Sequence, residues 1–335
     1  RARLQHWLPD DSYMYIGDSY RSGRYGTLGS VSAHVLMKLA ARYRDGHAQW
    51  LALREAAVDS AGPPGLALEA PYAYASWKLL PERQVHGLAW QFLWYDPALK
   101  PAPPETLVQD QLYSNWDTAV FRAGWGVDCP VLAFTGGHQL GRAATGAWKA
   151  GLDNLPGGLA HTHLNAGSIY LWADGGFPLA PPGYGGRDGR FQNTIMIDGH
   201  GQLFEPDRRG NLTAFESGDG WAMATMELAP AYPPDVRIDR FTRTLVFLKP
   251  RTVLILDRLT TRDGDKKYIR RYEWLLHTDP AETEWTAGGD SLAARGRKDG
   301  RTRLAGRIFP TRRWLFETQS MNRPDGTPTS RALSL

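Results

Sequence analysis

The residues best suited to chemistry crowd into one stretch, between His161 and Gln202. It holds His161-Thr162-His163, Asn165-Ala166-Gly167-Ser168, Pro181-Pro182-Gly183-Tyr184-Gly185, Gln192-Asn193-Thr194 and Asp198-Gly199-His200-Gly201-Gln202. On a strand, residues two apart face the same side, so His161 and His163 would present two imidazoles to one surface. Such a pair suits a metal with a third ligand, or a base beside a substrate-binding imidazole. Two hydrogen-bonded surface histidines use the same spacing. Arg187, Arg190, Arg208 and Arg209 lie around the stretch. They could meet carboxylate or sulfate groups through paired N–H donors, or form a solvated loop face. Asn193 and Tyr184 could line the same cleft. His277 ends the apolar run Trp274-Leu275-Leu276 and either points into a site or caps its strand. His6, His34, His47 and His86 read as solvated or satisfied.

These side chains need elements to position them. Residues 32–57 are rich in Ala, Leu, Arg and Lys, with Val35, Leu36, Leu39 and Ala40 at helical spacing, which predicts helix. A second helical stretch runs from about residue 81 to Trp94 and stops at Asp96-Pro97. Residues 97–104 hold four prolines and form the expected linker. Beyond it, runs rich in β-branched and aromatic residues are punctuated by Gly, Asp and Pro. They fall at 119–125, 131–135, 168–172, 194–197, 221–228, 241–248, 252–257, 268–277 and 313–318. That pattern predicts antiparallel sheets stacked as a sandwich. Residues 253–256, apolar on both faces, are expected to be a central strand. The expected fold class is α+β, helices first and then a large antiparallel β-domain.

Composition narrows the function classes. The chain has 335 residues, of which 42% are hydrophobic and 22% charged, so it is globular and long enough for two domains. No apolar run approaches the roughly 18–20 residues of a membrane-spanning helix. A net charge of +4, spread along the chain, gives no sign of a nucleic-acid partner but would suit a local anionic one. Cys129 is the single cysteine, which excludes an intrachain disulfide framework and a cysteine zinc cage. There is no GxGxxG, no GxxxxGK[ST] and no GxSxG. Aromatics are abundant, with 13 Trp, 14 Tyr and 11 Phe, and serve either sugar stacking or core packing. The chain starts at Arg1, which reads as a processed product or a fragment.

HTHLNAGSIYLWADGGFPLAPPGYG (161–185) followed by NTIMIDGHGQ (193–202) resembles the core of the heparinase II/III-like β-domain. FTRTLVFLKPRTVLILDRL (241–259) and YEWLLHT (272–278) resemble its next strands. IGDSYRSGRY (16–25), FLWYDPAL (92–99) and FRAGW (121–125) resemble the tail of the α/α toroid that precedes it and the entry into the sheets. The resemblance implies that residues 1–115 are the C-terminal part of an incomplete toroid and residues 116–335 a β-sandwich domain. It implies β-elimination on uronic acid units of a polysaccharide. It makes His161 the histidine of the catalytic cleft, with a catalytic tyrosine sought among Tyr13, Tyr15, Tyr20 and Tyr25; Tyr20 and Tyr25 are the leading pair. Asn165, Tyr184, Arg187 and Asn193 become substrate-binding candidates, Asn165 standing where the motif usually has Asp.

By the same resemblance His163 is a ligand of a zinc that braces the β-domain. Its two usual partners are replaced, by Pro181 and by Gln192. Proline offers no side-chain ligand and a glutamine carbonyl is a poor zinc ligand. The expectation is therefore no tightly bound structural zinc, unless another ligand substitutes.

The leading function is a polysaccharide lyase acting on an acidic polysaccharide or oligosaccharide, in the periplasm or outside the cell by resemblance. This chain would be part of such an enzyme, lacking some of the toroid. A non-catalytic carbohydrate-binding or scaffold protein of the same fold is the alternative. A glycoside hydrolase on the same scaffold is a third reading.

Overall fold

A computed structural model describes residues 5–10, 13–14, 16, 29–60, 89–138, 141–151, 162–183, 186–205, 207–262, 270–278, 283–309, 317–322 and 328–334. The chain divides into two compact units, residues 1–13 with 20–108 and residues 14–19 with 109–335. Among the described residues no helix is long and apolar enough to cross a membrane.

In the first unit, the expected single helix is two, α1 (Gly29–Tyr43) and α2 (Gly46–Ser60). Arg44 takes a left-handed φ of 53° and ends α1. Asp45 then starts α2, its Oδ1 accepting the N–H of His47 at 3.0 Å and of Ala48 at 3.2 Å. The buried face of α1 is Ala33, Met37 and Ala40, while Val35 and Leu39 are over 40% exposed, so of the sequence stripe only Ala40 is buried. Residues 97–104 are not a free linker: the Ala102 N–H donates to Gly46 O, and His47 Nδ1 lies 2.9 Å from Ala102 O.

The second unit opens with a five-stranded antiparallel meander. It comprises β1 (Gln111–Tyr113), β2 (Thr118–Arg122), β3 (Val131–Thr135), β4 (Ser168–Ala173) and β5 (Gly176–Leu179). A helix that sequence periodicity missed, α3 (Gly141–Lys149), lies between β3 and β4 in the chain. After the short β6 (Ile195–Ile197) comes a four-stranded sheet of β7 (Asn211–Gly218), β8 (Trp221–Glu227), β9 (Ile238–Leu248) and β10 (Thr252–Thr261).

The two sheets share one core. Phe121, Phe134, Ile169 and Leu171 from the meander pack with Ala222, Ala224, Met226, Phe241, Leu245 and Phe247. Alternation along β8 and β9 aims every second residue at that core, as the period of two requires. This is the sandwich.

Residues 253–256 are not central. β10 pairs only with β9 among the described strands, and Leu254 and Leu256 are 46% and 55% exposed. The run at 268–277 splits into β11 (Tyr272–Trp274), which pairs with β6, and β12 (Leu276–Thr278). The break falls at Leu275, whose N–H donates to Thr194 O. Two three-stranded sheets follow among the described residues. One holds β13 (Thr283–Gly288), β14 (Ser291–Gly296) and β15 (Thr302–Arg307). The other orders β12 with β17 (Pro328–Ser334) and β16 (Glu317–Asn322). Of the run expected at 313–318, only 317 and 318 are described, inside β16.

Candidate functional site

Four connections meet beside the sandwich, those before β2, after β3, before β4 and before β7. Backbone hydrogen bonds join them: Gly136 N–H to Asp117 O, Gly210 N–H to Gly136 O and Gly167 N–H to Thr135 O, each at 2.7 Å. Gly167 has φ +76°, and a Cβ there would lie 2.4 Å from Leu228 Cδ1. Gly137 packs so closely on Ala166 that a Cβ would lie 2.5 Å from its backbone nitrogen. The Asn165–Ser168 turn of the sequence motif is therefore locked between β3 and the second sheet.

Side chains complete the lock. Gln202, from the Asp-Gly-His-Gly-Gln segment, pairs with Ala166 as a strand would: Ala166 N–H donates to its Oε1 at 2.9 Å, and its Nε2 donates to Ala166 O at 2.7 Å. Thr194 Oγ1 also donates to Ala166 O, and Tyr232 Oη donates to Ile195 O.

Arg243 is the deepest of these ties. The register that buries Phe241, Leu245 and Phe247 buries its guanidinium as well, 5.8 Å from the ring centres of both Phe241 and Trp274. Nη1 donates to Gly167 O at 2.7 Å and Asn193 O at 2.9 Å, while Nε and Nη2 grip both oxygens of Asp257 at 2.7 Å. One cation in the core thus holds two motif loops at once.

The sequence-predicted residues fall unevenly. His161, Tyr20, Tyr25 and Tyr184 lie outside the described residues, as does Tyr15. Asn193 is fully buried and fully engaged. Its N–H meets Ser168 Oγ, its Nδ2 meets Ile169 O, and its Oδ1 accepts the N–H of His277 at 2.6 Å. That leaves it no surface for a substrate, so it is a strut between β4 and β12. Asn165 is buried too, with Nδ2 3.4 Å from Tyr170 Oη. His277 is buried rather than aimed at an open cleft.

Arg187 is half-buried beside the motif: Leu164 N–H donates to its carbonyl, its Nε donates to Thr162 O, and its guanidinium lies 4.5 Å from the Phe204 ring. Arg190 and Arg208 are paired with their neighbours Asp188 and Glu205. His163 is buried, and Gln192 Nε2 lies 3.2 Å from its Nδ1.

Sequence reasoning missed a charged group in the same place. Asp117, with positive φ, accepts from His138 Nε2 at 2.9 Å and from Arg142 Nη2 at 2.6 Å. Burial would raise the Asp117 carboxyl, but the hydrogen bonds and charges of His138 and Arg142 outweigh it and hold it below the ordinary carboxylate range. Burial pushes His138 down, helped by the charges of Arg209 and Arg142 and opposed by Asp117. The neutral ring then donates from Nε2 and keeps Nδ1 as an acceptor, buried without a partner among the described residues. The available signal was a histidine after two glycines at the end of a predicted strand.

No family model matches the chain. Among solved structures, heparan sulfate lyase HepC from Pedobacter heparinus is similar with a TM-score of 0.61 and 14% identity, over 99% of this chain and 42% of that one. A heparinase III gene product gives 0.62 at 10% identity, over 99% and 42%. A further heparinase III gives 0.60 at 11% identity, over 99% and 44%. The chain spans about two-fifths of the length of these proteins. At such identities the shared property is the fold: the heparinase-type resemblance of the motifs is borne out as an α+β chain ending in the same antiparallel β-sandwich.

Proposed function

We propose that this chain is part of a polysaccharide lyase that cleaves an acidic, uronate-containing polysaccharide by β-elimination. The observation that carries the reading is the likeness of 99% of the chain to a heparan sulfate lyase, together with the motif order of residues 161–202. In this chemistry a base removes the C5 proton, the C4–O4 bond breaks, a C4–C5 double bond forms and the leaving oxygen takes a proton. The C5 proton is weakly acidic, so cationic or hydrogen-bonding groups must neutralise the neighbouring carboxylate.

His161 is assigned to the catalytic cleft, with Tyr20 or Tyr25 as its proton-transfer partner. Arg187, half-buried beside Thr162 and Leu164, is the best-positioned described cation for the acidic group of the sugar. In this reading residues 1–115 belong to a toroid of which the full enzyme has more, and the enzyme works in the periplasm or outside the cell.

The test is ultraviolet absorbance with heparan, chondroitin, hyaluronan and alginate, on the full-length parent protein and its His161→Ala variant. A rise that vanishes in the variant supports elimination and the assignment together. A rise unchanged in the variant keeps the lyase and removes His161. Sugar binding with no rise on any uronate supports the non-catalytic carbohydrate-binding alternative, which the replaced ligand positions Pro181 and Gln192 favour.

A further inference from the structure

The motif resemblance gives positions 163, 181 and 192 to the ligands of a bracing zinc, and the residues present do not fit that ion. The Pro181 side chain carries no donor atom. Gln192 is fully buried, and one of its amide atoms lies 2.5 Å from Gly186 O. Two carbonyl oxygens repel at that distance, so this atom is the nitrogen and the amide orientation is determined by chemistry. The same nitrogen lies 3.2 Å from His163 Nδ1.

Two consequences follow from that orientation. The Gln192 atom that faces Nδ1 is the amide nitrogen, which donates and does not ligate an ion. An amide nitrogen can only donate in that contact, so Nδ1 accepts its N–H. Gln192 Oε1 is left buried without a hydrogen-bond partner among the described residues, so the amide holds its position in spite of an unsatisfied acceptor. Among the described residues no cluster of three His, Cys, Asp or Glu could take over the ion.

We propose that Gln192 is a metal-free brace. Its amide donates to both His163 Nδ1 and Gly186 O, and ties the His163 end of the motif loop to the 183–192 loop in place of zinc. The backbone pairs the same two segments one step further along, where Leu164 N–H donates to Arg187 O. The inference holds whether the chain is a lyase or a binding module, since it concerns only how the loops are held.

The experiment uses the whole chain, expressed with zinc in the medium, with zinc content measured by mass spectrometry and Tm measured with and without a strong chelator. The expected result is substoichiometric zinc and a chelator-independent Tm. Gln192→Met keeps the volume but donates no N–H, and should lower Tm by about 4–8 °C, equally with and without chelator. One zinc per chain, or a parent Tm that falls on chelation, would overturn the proposal even if the variant fails to fold. A Gln192→Met protein with the parent Tm would also overturn it, because the amide would then brace nothing.

Discussion

Replacing Arg243 by Met removes four charge-assisted hydrogen bonds and keeps most of the side-chain volume beside Phe241 and Trp274. Two losses follow. The carbonyls of Gly167 and Asn193 lose their shared donor, at about 1–3 kcal/mol for each group left unsatisfied. Asp257 loses its partner, but its side chain is 22% exposed and regains some hydration, so this share is smaller than for a sealed pair. The total is about 3–5 kcal/mol, or a Tm lower by on the order of 10 °C.

Arg243→Lys keeps the charge, but one ammonium cannot grip a carboxylate on two sides and reach two carbonyls, so it should lose roughly half as much. Asp257→Asn added to Arg243→Met should recover only about 1 kcal/mol, because the larger loss lies at the carbonyls. Urea denaturation gives the free energies, and amide hydrogen exchange locates them in the 163–168 and 192–195 loops. A cost below about 1 kcal/mol for Arg243→Met, or exchange unchanged in both loops, would refute Arg243 as the post that holds the motif.

Gln202→Ala should cost about 1–3 kcal/mol by stripping the Ala166 N–H of its acceptor and leaving the Ala166 carbonyl with Thr194 Oγ1 alone, with Gln202→Glu restoring only the acceptor half; chemical denaturation checks both. Gly167→Ala combines a positive φ with a Cβ driven into Leu228, and should cost about 2–4 kcal/mol; a neutral result by calorimetry would show that the turn can shift. The low values of His138 and Asp117 make the folded state bind fewer protons than the unfolded chain. Stability is therefore full above the ordinary histidine value of about 6.5, and is lost as the pH falls, first through His138 and then, below about 4, through Asp117. His138→Gln should flatten the upper part of that profile, and an unchanged Tm slope between pH 5 and 7 (roughly the range set by an ordinary histidine) would count against the burial argument. Arg187→Ala should weaken retention on a heparin column several-fold with a small stability change, and equal retention at every salt concentration would move the anionic contact elsewhere.

The sandwich was readable because its strands are runs rich in β-branched and aromatic residues punctuated by Gly, Asp and Pro, and β3 (Val131–Thr135) matched its predicted run to the residue. Sheet order was not readable. Residues 253–256 are apolar on both faces, yet hydrophobicity does not encode which strand lies at the edge, and Leu254 and Leu256 face outward from β10. The polar residues of the motif were harder still, for a reason specific to loops. Asn193, Thr194 and Gln202 lie on the segments either side of β6 and pack on the turn before β4 without a regular ladder, so buried backbone groups there need donors and acceptors from side chains. A polar residue used in this way looks, in sequence, the same as one that meets a substrate. Arg243 is the sharpest instance. In sequence it breaks the apolar face of Phe241, Leu245 and Phe247, and only the fold shows that the break is where two carbonyls and a carboxylate needed a cation. The motif that carries the resemblance is therefore largely the means by which the loops are held, and the half-buried Arg187 beside it is the first group to test for an anionic contact.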